Sequence, residues 1–191
     1  MKIMENQEHL LSVALKLFTR KGYDATGVQE IVIAAGVTKP TLYHYFGSKR
    51  GLLDVLLERN FTNLLRTLTV ASEYKGDLPF TLTAITKASF EFAKNNSAFY
   101  RMQMAMTLSS PESESYDATL KYQAEVIKLL ETLFRLAAKD HGNMRNRQQR
   151  YAFTFLGIIN TYITLYLNKH VDLNDEAVHL AVHQFSHGIY S

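Results

Sequence analysis

Residues 26–49 constrain the fold most, because they indicate two short helices joined by a tight turn. Thr26 and Gln29 form the spacing of a capping box, which marks the start of a helix. Apolar residues then recur at helical spacing. Gly36 stands where the chain turns, since glycine adopts a left-handed backbone readily. Pro40 falls in the first turn of the next helix, where its missing N–H costs little.

The second of these helices is predicted over residues 39–45 and is too short to be stable alone. Leu42 and Phe46 lie on its apolar side, and polar groups occupy the other side. A short helix held by a partner helix, with polar groups on its free face, suits insertion into a major groove of DNA. The stretch therefore predicts a helix-turn-helix element.

The remainder of the 191 residues also indicates helices, so the predicted fold class is all-α. We expect a three-helix DNA-binding domain in residues 1–50 and a helical domain in residues 51–191. A fourth helix, predicted over residues 48–71, connects the two. The other long helices are predicted over residues 5–20, 80–94, 98–108, 116–138, 146–168 and 175–189.

The excess positive charge lies in the part of the chain that carries the motif. Residues 1–50 hold seven Lys and Arg against four Asp and Glu, whereas the rest of the chain is balanced. This asymmetry favours a polyanionic partner for the N-terminal part. The chain has no cysteine, which excludes disulfides and thiolate chemistry and fits a cytoplasmic location.

The run Ala34 to Phe46, followed by Ser48-Lys49 and Leu52-Leu53, resembles the DNA-binding domain of the TetR family of transcriptional regulators. The resemblance covers about the first quarter of the chain. It departs from the family at Ile33, a position that is usually polar, and at Gly51, where many members have a glutamate. The helix that begins near Ser48 therefore lacks the reciprocal half of a capping box.

The resemblance implies which side chains touch DNA. Tyr43 and Lys49 should hold phosphates. The side chains that should approach base edges are Thr38, Lys39, Thr41 and His44. The complete expected set is Thr26, Thr38, Lys39, Pro40, Thr41, Tyr43, His44 and Lys49.

The resemblance also implies a homodimer formed by the last two long helices. It further implies a ligand pocket between the four helices predicted over residues 80–94, 98–108, 116–138 and 146–168. The expected interface residues are Ile159, Ile163, Val178, Val182, Phe185 and Ile189. Aromatic and methionine side chains suit adaptable binding of apolar ligands. The candidate ligand residues are Phe90, Phe99, Met102, Met106, Tyr122, Phe134, Phe155, Asn160 and Tyr162. No basic residue is an obvious anchor for an anion, so the pattern favours a neutral or cationic effector.

Two other patterns have alternative interpretations. Residues 151–168 carry no charge, but their threonines, asparagine and tyrosines argue against a membrane span and favour a subunit contact. Asp175, His179, His183 and His187 share one helix face, which is compatible with a metal site, with a pH-sensitive dimer or with a plain polar stripe. We expect no metal and no cofactor.

The sequence has no phosphate-binding glycine loop and no HExxH or GxSxG motif, so we expect no enzyme. The hypothesis is a homodimeric repressor that leaves a palindromic operator when a small molecule binds its second domain. In this mechanism the effector moves helix four and changes the separation of the two DNA-contacting helices, one from each subunit. The alternative is a helical small-molecule or metal-binding dimer without specific DNA readout.

Overall fold

The computed structural model describes residues 2–188, except for the side chains of residues 2–5 and 143. Over this range the chain is helical and contains no strand. The helices are α1 Lys2–Lys21, α2 Val28–Ala34, α3 Lys39–Phe46, α4 Lys49–Ala71, α5 Leu78–Asn95, α6 Ser97–Thr107, α7 Glu114–Asp140, α8 Gln148–Leu167 and α9 Asp175–His187. A short 3-10 turn, Gly142–Met144, lies between α7 and α8.

The predicted all-α class is confirmed, and the bounds predicted for the long helices fall within about three residues of those observed. Side-chain caps explain several starts. The Asp77 carboxylate accepts from the Phe80 N–H at 2.9 Å, and the Asn174 side chain accepts from the Ala177 N–H at 2.9 Å. Such caps satisfy amide groups that have no partner inside the helix.

The chain packs as two compact units. Unit 1 comprises the residues up to 62 together with 98–121, and unit 2 comprises residues 63–97 and those from 122 onward. Unit 1 therefore contains α1 to α3, most of α4, α6 and the start of α7. The predicted boundary near residue 50 stays a prediction about functional domains.

Unit 1 has an apolar core built from one stripe of each helix. Leu10, Ile31, Leu42 and Leu52 are completely buried. Helix α2 packs against both α1 and α3. The apolar sides of the two motif helices are thus turned inward, which leaves the polar side of α3 on the surface.

Unit 2 is held together by α5, α8 and α9, which pack against one another. Phe134 of α7 lies at the centre of an aromatic cluster, with ring centroids 5.6 Å from Tyr151, 6.3 Å from Phe155 and 5.8 Å from Phe185. Aromatic pairs at such distances add stability beyond the area they bury. No helix of the described residues is both long and apolar enough to cross a membrane.

The packing around the first turn of α4 explains why residue 51 is glycine. A Cβ at this position would lie 2.0 Å from the carbonyl oxygen of Phe46, a distance that the backbone cannot tolerate. The Gly51 N–H donates to the Ser48 hydroxyl at 2.9 Å, so Ser48 provides half of a capping box. The close approach of α3 to α4 excludes the other half.

We therefore expect Gly51→Ala to lower the free energy of unfolding by about 1–3 kcal/mol, because overpacking outweighs the helix propensity gained. Urea unfolding followed by circular dichroism measures this change. Gly27→Ala is the matched control, since no atom lies within 4 Å of its added Cβ. Equal stability of the two variants would contradict the steric argument.

Candidate nucleic-acid interface

Helix α3 has one buried and one exposed side. Leu42 is completely buried and Phe46 is 8% exposed, so they fix the helix to the core of unit 1. The side chains of Lys39, Tyr43 and His44 are exposed, and Tyr43 retains 45% of its accessible surface. These three point away from the core and can reach a bound polyanion.

The start of α3 is arranged as the sequence predicts. Thr38 is the N-cap in extended conformation, and Pro40 lies in the first turn. The Thr38 hydroxyl makes no cap bond and instead lies 2.9 Å from the Thr41 hydroxyl. Gly36 has φ +63°, which lets the chain turn sharply between α2 and α3. Thr38 is exposed and Thr41 is partly exposed.

Thr26 differs from its expected role. Its side chain is 1% exposed, and its hydroxyl donates to the Gly22 carbonyl at 2.7 Å. The N-cap of α2 is Gly27 and makes no side-chain cap bond, so the predicted capping box is wrong. The Thr26 hydroxyl therefore closes the loop before α2 and is not exposed for a DNA contact.

Lys49 lies at the beginning of α4 and holds the loop between α1 and α2. Its ammonium donates to the carbonyls of Tyr23 at 3.1 Å and Thr26 at 3.2 Å, and it lies 4.0 Å from the centroid of the Tyr23 ring. A charged donor and a cation–π contact each stabilise this arrangement. Lys49 thus has a structural function, because two of its three donors are used within the chain. One donor remains for the phosphate contact predicted for it.

A polar network that no sequence pattern indicated joins this loop to the start of α7, all within unit 1. The Tyr23 hydroxyl donates to the Glu114 carboxylate, and the Ser115 hydroxyl donates to Asp24 at 2.7 Å. Burial, and then the hydrogen bond to Glu114, raise the pKa of Tyr23 well above its usual range. The phenol therefore remains a donor at neutral pH.

Arg50 adds two further connections to the same network. Its guanidinium donates to Asp54 at 2.9 Å within α4 and to Asp117 of α7 at 3.0 Å. The pKa of Arg50 is raised, first by the hydrogen bond to Asp54. Arg50 and Asp117 are 67 residues apart in sequence, so no local pattern could have indicated the pair.

The residues predicted to line a ligand pocket are mostly closed core. Seven of them are no more than 3% exposed: Phe90, Phe99, Met102, Met106, Tyr122, Phe134 and Phe155. Asn160 and Tyr162 are partly exposed, and the Tyr162 ring lies 6.0 Å from Phe90. Phe99, Met102 and Met106 belong to unit 1, and the others belong to unit 2. Their contact with a ligand stays a prediction.

Most of the predicted interface residues lie inside the single chain. Ile159, Ile163, Val178 and Val182 are buried within a single chain, none more than 8% exposed. The Phe185 ring packs 5.0 Å from Phe155 in the same core, and Ile189 lies outside the described residues. The first four side chains are covered by their own subunit, whereas Phe185 is partly exposed. Contact of these residues with a partner stays a prediction.

The histidine stripe of α9 is exposed to solvent. The rings of His179 and His183 are 5.8 Å apart, and those of His183 and His187 are 4.7 Å apart. Asp175 bonds instead to Lys87 of α5 at 2.8 Å, which lowers the pKa of the carboxyl. Within residues 2–188 the described side chains form no group of three or more metal-binding residues.

Known proteins with similar sequences share this architecture. A model of bacterial regulatory proteins of the tetR family matches residues 10–56. The HTH-type transcriptional activator FasR of Mycolicibacterium smegmatis is 28% identical over 184 residues, which cover 96% of this chain and 82% of the relative. The crystal structure of the TetR family regulator PfmR from Thermus thermophilus matches with a TM-score of 0.74 and 25% identity, covering 95% of this chain and 99% of the other.

A second solved structure gives the same fold at lower identity. The transcriptional regulator FadR from Bacillus subtilis, in complex with stearoyl-CoA, matches with a TM-score of 0.79 and 16% identity. This match covers 96% of this chain and 99% of the other. At such identity the likeness concerns the fold alone.

The exposed face of α3, which packs against α2, and these similarities define a helix-turn-helix DNA-binding transcriptional regulator. Residues 10–56 match the TetR family, and the similar proteins named above are transcriptional regulators. Members of this family bind operator DNA and small-molecule effectors, act as dimers and are not enzymes.

Proposed function

We propose that this protein is a homodimeric repressor that binds a near-palindromic operator and is released by a small-molecule effector. The face formed by Thr38, Lys39, Thr41, Tyr43 and His44 is the observation that carries the proposal, because no apolar packing within the chain accounts for it. A dimer that occupies a promoter needs no further surface to repress it. A repressor of this kind needs access to DNA, so the proposal includes a cytoplasmic location.

The subunit contact is proposed for the outer face of α8. Phe153 is 57% exposed, and Gly157 and Thr161 follow it at four-residue spacing on the exposed side. A Cβ at Gly157 would meet no atom of this chain within 4 Å, although glycine inside a helix costs up to about 1 kcal/mol. A partner helix packed closely against Gly157 would explain the residue.

The effector is proposed to bind in unit 2 and to change operator affinity through α4, whose residues belong to both units. The aromatic cluster of unit 2 supports an effector with an apolar part. Stearoyl-CoA in the FadR structure, which has the same fold, supports it as well. Coupling between such sites is typically worth about 1–3 kcal/mol.

The test is selection of duplex DNA with the purified full-length protein, followed by affinity measurements at several salt concentrations. Specific binding should weaken steeply with salt, because neutralised phosphates release their counterions. Equal affinity for random duplex and for the best selected site would contradict specific readout. That result would favour a helical ligand-binding dimer without DNA recognition.

Base readout is expected to reside in Lys39 and His44. Replacing either with alanine should change the preferred base at one position of each half-site, by roughly 1–3 kcal/mol for a good bidentate contact. Competition between operators that differ at single positions measures the change. The control is Arg20→Ala, which removes a cation of α1 outside the reading helix and should leave base preference intact.

A further inference from the structure

The described residues include a groove between the second half of α7 and the start of α8, within unit 2. Its volume is about 540 Å³, and it is lined by Lys128, Glu131, Thr132, Arg135, Gln148 and Gln149. Small-molecule sites typically measure roughly 300–1,000 Å³, so the groove has a suitable size. None of the residues that the sequence suggested for ligand binding lines it.

The charge of the groove favours an anion. Lys128 and Arg135 lie seven residues apart on α7, about 10.5 Å along the helix, so they flank the groove on one side. Neither has an acidic partner among the ion pairs of the described residues. The Arg135 guanidinium donates to the Thr132 hydroxyl at 3.2 Å and keeps its other donors for a ligand.

Three further cations lie close in sequence to the groove residues of α8. Arg145, Arg147 and Arg150 lie in the turn before α8 and in its first residues. Residues 141–171 contain no aspartate or glutamate, although residues 51–191 as a whole are balanced in charge. A concave surface with an excess of positive charge concentrates the field and attracts anions from solution.

Glu131 and the two glutamines restrict the ligand further. A lone carboxylate between two cations would repel a simple anion, but it accepts hydrogen bonds from hydroxyl or amine groups. Gln148 and Gln149 offer both donors and acceptors. The lining therefore fits a molecule that combines phosphate with hydroxyl or amino groups.

We propose that this groove binds a phosphate-bearing small molecule, with Lys128 and Arg135 on its phosphates and Glu131 on a hydroxyl or amino group. Arginine suits phosphate because its planar fork can donate two parallel hydrogen bonds. The concave shape favours a small molecule over a DNA backbone. A regulatory role of this groove rests on the proposed function, since the bound molecule would then be the effector or the polar end of the effector.

Calorimetric titration of the full-length protein at low ionic strength tests the site, with ADP, pyrophosphate and adenosine as probes. ADP and pyrophosphate should bind, and adenosine should not. The Lys128→Gln/Arg135→Gln variant should weaken ADP binding roughly tenfold or more, because charge-assisted contacts to phosphate are lost. Neither side chain belongs to the buried core, so the variant should keep its fold. Lys139→Gln removes another exposed cation of α7 outside the groove and should change affinity less than about twofold.

Three results would overturn the site: no binding of ADP or pyrophosphate, equal binding of adenosine, or equal weakening in the Lys139→Gln control. A duplex that displaces ADP, and binds more tightly as it lengthens, would identify the groove as a nucleic-acid surface instead. Operator binding is measured separately with and without ADP. Selective ADP binding with unchanged operator affinity would support the site and reject its regulatory role, whereas loss of all operator binding concerns the proposed function alone.

Discussion

A Lys49→Ala variant is expected to bind operator about 100-fold more weakly than the wild type and to unfold more easily. The ammonium of Lys49 donates to two carbonyls in the loop before α2 and lies over the Tyr23 ring. Hydrogen bonds from charged groups are worth about 1.5–3 kcal/mol each. Their loss should release the loop that positions α2 and α3, so the variant loses preorganisation as well as one cation.

Anisotropy of labelled operator and urea unfolding together separate these two contributions. The slope of log affinity against log salt should become shallower by about one, as expected for one lost cation. Lys16→Ala is the control, because Lys16 is a cation of α1 in the same unit and lies outside the buried core. If Lys49→Ala and Lys16→Ala have equal unfolding free energies, Lys49 contributes only charge and its structural function is wrong.

Local signals in the sequence were sufficient to predict the helices and the helix-turn-helix element. Helical spacing, Pro40 and Gly36 each act over a few residues, and the structure places α3 and its buried Leu42 accordingly. The two carbonyl partners of Lys49 and the Asp117 partner of Arg50 were beyond such signals, because they lie 23 to 67 residues away. Thr26 shows the same limit, since a cap and a buried loop threonine have the same local sequence pattern.

The sequence failed differently in unit 2. Helix α8 is apolar on nearly every side. The spacing of its apolar residues therefore indicates that two of its surfaces are covered, but it does not show which surface faces the partner. Ile159 and Ile163 cover the subunit's own core, and Phe153 lies on the outer side. The groove was missed because its polar lining looks like an ordinary solvated surface in sequence. Only the position of α8 beside α7 makes that lining concave.

The exposed side of α8 leads to the second large effect. Phe153→Arg should yield a folded monomer, because the ring is 57% exposed in the single chain and its replacement buries no charge within the subunit. In a dimer, the same arginine would be buried against the partner without a counter-ion, which is strongly unfavourable. Operator affinity should fall by roughly 10²–10⁴-fold, since two linked half-site contacts become independent.

Sedimentation velocity and circular dichroism measure the mass and the fold of this variant, and Ile159→Arg is its counterpart. Ile159 is 1% exposed, so an arginine there should unfold the subunit itself rather than merely separate two subunits. The variants thus distinguish an interface residue from a core residue on the same helix. A Phe153→Arg protein that remains dimeric would exclude the outer face of α8 as the subunit contact. A folded Ile159→Arg monomer would restore the interface that the sequence resemblance implied.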